Sequence, residues 1–361
     1  MRKLLTILIL IIIAAVCLAG CGNVASKAEK YTADFYDVFD TAVSITAYCE
    51  SKEEFNALAD EIHSTLLNFH RLFDIYNNYE GIVNIKTVND LAGQEPVVIT
   101  WDLMEILLAS KEMYSLTDGN VNIAMGSVLR LWHEARETSL DDPSKAYVPS
   151  DADLKEAAKH CNIDDIVIER YDRSSGEAAA ASASAEWQYA GTVRLLDPEM
   201  SIDLGAVAKG WAVEKTAQNL EAEGHTSVLI SAGGNVRAVG TKPDGEKWTV
   251  AIQDPAGNSQ NGYASIVKVS DMSVVTSGGY QRYYEYNGTR YHHIIDKDSL
   301  KPENRYLSVS IITKDSGRAD ALSTAVFNMS FDDGLAFIES LEDTEALWIF
   351  PDGTQQHSSG F

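Results

Sequence analysis

The sequence predicts an α+β fold, with mixed or antiparallel sheets and helices packed on them. Three observations lead there. Val38 to Tyr48 alternates apolar and polar residues, the pattern of a half-buried strand. Phe55, Leu58, Ile62, Leu66 and Phe69 recur at helical spacing. Strand-like and helix-like segments then follow one another without the strict alternation of a parallel, doubly wound sheet.

The elements can be taken in order. Arg2 and Lys3 form a charged start, and Leu4 to Val16 is an apolar run shorter than the ~20 residues of a spanning helix. Leu18-Ala19-Gly20-Cys21 follows and reads as a bacterial lipobox. Residues 1–20 are then a signal peptide. Cys21 takes a lipid, and the mature chain sits on the extracytoplasmic side of the cell membrane. Residues 21–33 read as a lipidated tether. A helix is expected from Glu53 to Phe69 and another from Trp101 to Leu116, capped by Thr100 and ended near Gly119. Residues 174–190 carry an Ala/Ser run and read as a low-complexity surface loop between two strands. A helix from Ala206 to Glu223 closes at Gly224. Strands are expected at Val228–Ile230, Trp248–Ile252 and Ser308–Thr313, with a helix from Arg318 to Met329. A last helix and strand, Gly334–Leu341 and Glu345–Phe350, lead to the Pro351-Asp352-Gly353 turn. One domain is expected over 34–350, with a tail at 351–361.

The 361 residues hold 29 basic and 53 acidic side chains, a net charge of −24. That balance argues against nucleic-acid binding, which needs a basic face. A phosphate-bearing ligand would need backbone amides, a metal ion or isolated cations. Four cysteines at irregular spacing exclude a disulfide scaffold and a Cys-rich zinc site. After cleavage Cys49 and Cys161 remain, and the sequence leaves their pairing open. There is no P-loop, no dinucleotide fingerprint opening a helix, no H-E-x-x-H and no nucleophile elbow.

Several short constellations could carry chemistry. Asp203-Leu204-Gly205-Ala206-Val207-Ala208-Lys209-Gly210 puts an acid, a glycine turn, a helix start and a cation together. A plain strand-helix turn explains it equally. Asp320 and Thr324 are four apart on the predicted helix, so both oxygens share one face. They suit a hard cation such as Mg²⁺, or a helix-capping role. His292-His293-Ile294-Ile295-Asp296 fits a general base or a hydrogen-bonded strand histidine. Thr276-Ser277-Gly278-Gly279-Tyr280-Gln281-Arg282 gathers hydroxyls, an aromatic ring and a cation. Thr117-Asp118-Gly119-Asn120-Val121-Asn122 is a turn whose side chains could line a pocket. Ser231-Ala232-Gly233-Gly234-Asn235 is a further glycine turn.

The order of these pieces is more specific than any one of them. From Asp34 to Phe350 the chain resembles the bacterial FAD:protein FMN transferases, the ApbE-type flavin transferases. The resemblance rests on the lipobox, Phe39-Asp40-Thr41, Thr117-Asp118-Gly119, Asp203-Leu204-Gly205 with Lys209-Gly210, and Gly233-Gly234-Asn235. It continues through Thr276-Ser277-Gly278, His293-Ile294-Ile295-Asp296 and Asp320-Ala321-Leu322-Ser323-Thr324.

The resemblance implies an ApbE-like flavin transferase fold and a task. FAD is the substrate, Mg²⁺ sits on its pyrophosphate, and a threonine hydroxyl of a client flavoprotein attacks the FMN-side phosphorus, releasing AMP. It implies Asp320, Thr324 and the carbonyl of Ala206 as metal ligands and His293 as the base. It implies Asp203, Lys209 and Ile294 as FAD contacts. Asn120, Val121 and Asn122, with Thr276, Ser277 and Gly278, would line the flavin or adenine pocket. The implied clients are extracytoplasmic subunits of Rnf- or sodium-pumping NADH:quinone-type complexes.

Two departures stand out. Asn122 replaces a usual acid. Where the family continues Asp-Pro-x-x-Gly-x-Pro, this chain reads Asp296-Lys297-Asp298-Ser299-Leu300-Lys301-Pro302. Two other functions share these residues: an FAD pyrophosphatase in which water replaces the hydroxyl, and a flavin-binding lipoprotein without chemistry.

Overall fold

The computed structural model describes residues 28–171 and 189–361. In chain order, β1 (Glu29–Val38) and β2 (Thr41–Cys49) form a hairpin, followed by α1 (Lys52–Phe73) and α2 (Ile85–Asp90). Next come β3 (Val97–Thr100), α3 (Trp101–Leu116), α4 (Gly126–Asp141), α5 (Asp151–Ala157), β4 (Ile166–Arg170) and β5 (Tyr189–Leu195). Then follow α6 (Ala208–Ala222), β6 (Ser227–Ala232), β7 (Asn235–Gly240), β8 (Trp248–Gln253) and β9 (Tyr263–Val269). The chain continues through β10 (Ser273–Gly278), β11 (Tyr283–Tyr286), β12 (Thr289–His292) and β13 (Ser308–Thr313). It ends with α7 (Ser316–Asn328), α8 (Phe331–Glu339), β14 (Glu345–Ile349) and β15 (Gln355–His357).

The central sheet has the order β1-β2-β6-β7-β10-β13-β14-β15, and its neighbours pair antiparallel. Alternation along the strands sorts its two faces. Val228, Ile230, Val239, Val275, Val309 and Ile311 point to α1, α6 and α7. Ala238, Val274, Leu347 and Ile349 point the other way, onto Trp248, Val250 and Ile252 of the β8–β9 hairpin. Each fully buried Val, Leu or Ile stabilises by ~1.5–3 kcal/mol. A smaller sheet, β3-β5-β4, packs through Ile99, Ile166 and Val193 into the first of these cores. α4 and α5 pack with the β11–β12 hairpin through Val128, Trp132, Leu154 and Tyr284.

Local chemistry accounts for the clearest elements. Thr100 caps α3 by accepting from the Leu103 amide, and Ser51 caps α1 from Glu54. Ser308–Thr313 is the expected strand. α1 begins at Lys52 and runs on to Phe73, because Leu72 and Phe73 continue its buried stripe.

Other expectations change. The strand expected from Val38 divides at a turn, and β1 starts at Glu29, so residues 29–33 of the expected tether belong to the sheet. β1 is an edge strand whose Tyr31, Ala33 and Phe35 pack toward α1 while the residues between them face solvent, so its apolar pattern is weak. The expected tail is not free either. Gln355–His357 pairs with β14, and the Ala346 amide donates to Ser358 Oγ at 2.9 Å. α6 begins at Ala208 rather than Ala206, for a reason that belongs to the site. The signal peptide, Cys21 and residues 172–188 lie outside the described residues; the flanking strands β4 and β5 pair with each other. Among the described residues no helix is long and apolar enough to cross a membrane. Cys49 and Cys161 are free thiols, packed in separate cores.

Candidate active site

Two hairpin turns meet at one end of the central sheet. Phe39 and Asp40 have φ of 54° and 50°, and Gly233 and Gly234 have 51° and 89°. These are two-residue turns with both residues left-handed, which matches the twist of antiparallel strands. A Cβ on Gly233 would lie 2.2 Å from Thr41 Oγ1, so the turns approach this closely only with glycine there. The Thr276 amide donates to the Gly234 carbonyl at 2.9 Å, which brings the end of β10 alongside.

The first turns of α6 and α7 close onto the same end. The Gly210 amide donates to Asp320 Oδ2 at 2.8 Å. In a continuous helix that amide would donate to the carbonyl of Ala206, four residues back. Its use by Asp320 explains why α6 starts two residues late, and leaves the Ala206 carbonyl as a candidate ligand. A Cβ on Gly210 would sit 2.4 Å from the Ser316 carbonyl oxygen and 2.5 Å from Asp320 Cβ, so glycine sets this approach. Lys209 Nζ lies 3.5 Å from both Asp320 oxygens, and the Asp320 carboxylate is buried. One turn along α7, Ser323 Oγ and Thr324 Oγ1 lie 2.7 and 3.4 Å from Ser277 Oγ. Thr276 Oγ1 lies 2.8 Å from Ser310 Oγ. The structure thus brings together Lys209, Asp320, Thr324 and Ser277; the Thr276 hydroxyl turns to Ser310 on the other face of the sheet, and Gly278 ends β10 beside them.

His293 follows β12, and its Nδ1 lies 3.3 Å from the Arg282 carbonyl oxygen. The ring is exposed to solvent on one side and crowded by protein atoms on the other. Desolvation there, then the positive charge of Arg282, pushes its pKa down to about 3. His292 is engaged at both nitrogens. Nε2 reaches the Glu303 carbonyl at 2.9 Å, and Nδ1 accepts from the Ile294 amide at 3.2 Å. Arg282 donates to the carbonyls of Phe39 and Asp40 at 3.2 and 3.0 Å, tying the histidine loop to the β1–β2 turn.

Asp203 lies near Tyr76 and His133. Desolvation raises its pKa, against the Gly205 amide bonded at 2.7 Å and the charge of His133. Beside it, Tyr76 is 54% exposed and its ring is tilted against His133, with ring centres 5.0 Å apart. Neither Tyr76 nor His133 was singled out from the sequence; an aromatic after a helix and a helix histidine carry no distinguishing pattern.

The remaining expected residues lie further off or act only through main chain. The Val121 and Ile294 side chains are core residues. Asn120 Nδ2 donates to the Thr117 carbonyl. Asn122 donates to the Cys161 carbonyl at 3.0 Å and accepts from the Ala124 amide at 2.9 Å. It lines a cavity of about 220 Å³ with Tyr114, Asp118, Lys297 and Leu300. The divergent 296–302 loop is held by Asp296, which accepts from the Asp298 and Ser299 amides. Leu300, at the family's usual glycine, keeps a left-handed φ of 59°.

A buried ion network backs the site. Glu214 of α6 accepts from the Ser316 amide at 2.9 Å and from Arg237 Nε at 3.1 Å; Arg237 Nη2 reaches Glu221 at 2.7 Å. It too was missed, since its members are spread over 103 residues (316 − 214 + 1).

Chemically, the end of the sheet offers a buried carboxylate, hydroxyls, a main-chain carbonyl, an ammonium group and a neutral histidine. Asp320, Thr324 Oγ1 and the Ala206 carbonyl form an all-oxygen set, which fits a hard cation that keeps several waters. Among the described residues no cluster of three or more His, Cys, Asp or Glu gathers for a metal, so softer or carboxylate-rich sites find no support there.

Comparison with known proteins adds an independent line. The family model described as the ApbE family matches residues 39–348. A protein of Treponema pallidum named FAD:protein FMN transferase is 31% identical over 367 aligned positions, covering 97% of this chain and 92% of that protein. One of the same name from Klebsiella pneumoniae is 27% identical, covering 77% and 81%. Among solved structures, the ApbE protein of Thermotoga maritima superposes with a TM-score of 0.76 at 25% identity, covering 92% and 98%. The flavin transferase ApbE of Vibrio cholerae shares the fold, with a TM-score of 0.73 at 24% identity and the same coverage.

Proposed function

The chain belongs to the ApbE family, and from that premise we propose how its residues perform the family's reaction. It is an FAD:protein FMN transferase, moving FMN from FAD to a client protein. The finer reading is that the acceptor is a threonine hydroxyl and that transfer depends on Mg²⁺. The observation that supports it is the junction of α6 and α7, where Gly210, Lys209, Asp320 and Thr324 converge beside His293.

Asp320, Thr324 and the Ala206 carbonyl would hold Mg²⁺. When bound, the cation neutralises pyrophosphate charge and assists the departing phosphate. Lys209 contributes a further positive charge toward the pyrophosphate. The exposed face of Tyr76 offers a stacking surface for an aromatic ring system. His293, neutral at working pH, accepts the acceptor hydroxyl's proton. The hydroxyl oxygen then bonds to the FMN-side phosphorus. The bond from that phosphorus to the bridging oxygen breaks, and AMP leaves carrying that oxygen.

The same residues would serve water in place of the hydroxyl, and that FAD pyrophosphatase is the second reading. The lipobox supports a lipid anchor at Cys21 on the extracytoplasmic face of the cell membrane. Clients there, of the Rnf- or sodium-pumping NADH:quinone-type complexes, fit the same placement. The discriminating test follows AMP and FMN during turnover with FAD and Mg²⁺. Release of AMP only when a client is present supports transfer; equal AMP and free FMN without a client would support the pyrophosphatase.

A further inference from the structure

Two adjacent histidines close β12, and their hydrogen bonds assign their protons. A carbonyl oxygen can only accept, so a ring nitrogen that faces one carries the hydrogen. His292 Nε2 faces the Glu303 carbonyl and its Nδ1 receives the Ile294 amide, so His292 is a neutral ring protonated at Nε2 with both nitrogens occupied. His293 Nδ1 faces the Arg282 carbonyl, so its proton is on Nδ1 and the lone pair is on Nε2. The two rings are held in opposite tautomers, and only His293 has a nitrogen left to accept a proton.

The carbonyl that fixes His293 belongs to a residue anchored at its other end. Arg282 donates to Phe39 and Asp40, two non-glycine residues in left-handed backbone. Such residues persist where surrounding contacts hold them. The Phe39 amide is held too, donating to His70 Nδ1 at 3.2 Å. The strained turn is fixed by α1 on one side and braces the Arg282 guanidinium on the other.

We propose that Arg282 is a positioning residue for the transfer: braced on the Phe39–Asp40 turn, its main-chain carbonyl holds His293 as the Nδ1–H tautomer and presents Nε2 to the acceptor hydroxyl. This rests on His293 being the base. A histidine protonated at Nε2 would offer the acceptor a donor in place of a lone pair, and the proton would have nowhere to go. Both bonds come from one nitrogen, Nη2, held in the plane of the guanidinium, whereas a lysine ammonium at the end of a flexible stem is less firmly placed.

The test reads the tautomer without turnover. The protein is labelled with nitrogen-15 histidine, and the His293 signals are identified by their loss in His293→Gln. At pH 7 the unaltered protein is expected to show His293 with a protonated Nδ1 and a bare Nε2, and His292 the reverse. In Arg282→Gln the Nε2–H form of His293 becomes populated, and kcat for transfer falls about 10²-fold while KM for FAD changes less than about twofold. Arg282→Lys recovers part of both together. His293 protonated at Nε2 in the unaltered protein overturns the proposal. So does an Arg282 variant that transfers slowly with His293 still fully Nδ1–H. A protein without any transferase activity would contradict the functional reading and leave the tautomer measurement intact.

Discussion

The amide of Gly210 donates to Asp320 Oδ2 at 2.8 Å, so the first turn of α6 closes on a side chain of α7. This bond joins residues 110 positions apart and places the only carboxylate of the expected metal set against a helix start. Asp320→Asn keeps the shape and removes the charge. Transfer is expected to fall ~10²–10³-fold, the scale of losing one electrostatic group at a reacting centre. Titrating Mg²⁺ into both proteins checks it; the variant should need far more cation for half-maximal rate.

Gly210→Ala tests the approach of the two helices. The added methyl meets the Ser316 carbonyl at 2.4 Å and Asp320 Cβ at 2.5 Å, both on a packed helix. Overpacking of this kind costs ~1–3 kcal/mol. Thermal unfolding should show a lowered Tm. Because the strain falls on the Asp320 bond itself, the rate should drop even at temperatures where the variant is fully folded.

The pH dependence follows from His293. Its pKa is pushed down to about 3, below the ordinary histidine value, and a base must be neutral to act. The neutral form therefore persists through pH 6.5, where an ordinary histidine would become half charged. Transfer should show no loss of rate from this group between pH 7 and pH 5. The unfolded chain binds this proton at the ordinary value and the folded chain does not, so His293 reduces stability as pH falls below 6.5. A rate profile with an acid limb centred near pH 6.5 that disappears in His293→Gln would contradict this.

Arg237 is fully buried between Glu214 and Glu221. Arg237→Met leaves Glu214 in the core without its cation, which costs ~3–5 kcal/mol. The double variant Glu214→Gln with Arg237→Met removes the stranded charge and should recover part of that loss. Chemical denaturation of the three proteins measures both steps.

Much of the fold is legible in the sequence because local chemistry and tertiary packing agree. Thr100 caps α3, and Ser308–Thr313 pairs on both edges inside the sheet. Where they diverge, the sequence misleads. Ala206 and Val207 have good helix-forming neighbours but lie outside α6, because the Gly210 amide bonds across to α7. α4 hides because its buried face is built from Gly126, Ser127, Ala135 and Ser139 as much as from Val128 and Trp132. In the site, the pieces were readable as short motifs, but their meeting was not. Lys209 and Asp320, or Ser277 and Thr324, are joined by contacts across the sheet end that no spacing encodes. Tyr76 and His133 gave no signal at all, since their pairing depends on how α4 lies over the loop after α1.

The most direct test uses the chain from Gly22 onward, FAD, Mg²⁺ and a soluble client domain carrying the acceptor threonine, followed by intact-mass spectrometry of the client. The expected result is a client heavier by one FMN, with an equal amount of AMP, and no gain with Asp320→Ala or after chelation. A client of unchanged mass beside intact, tightly bound FAD would contradict the assignment of Asp320, Lys209 and His293 to phosphoryl transfer.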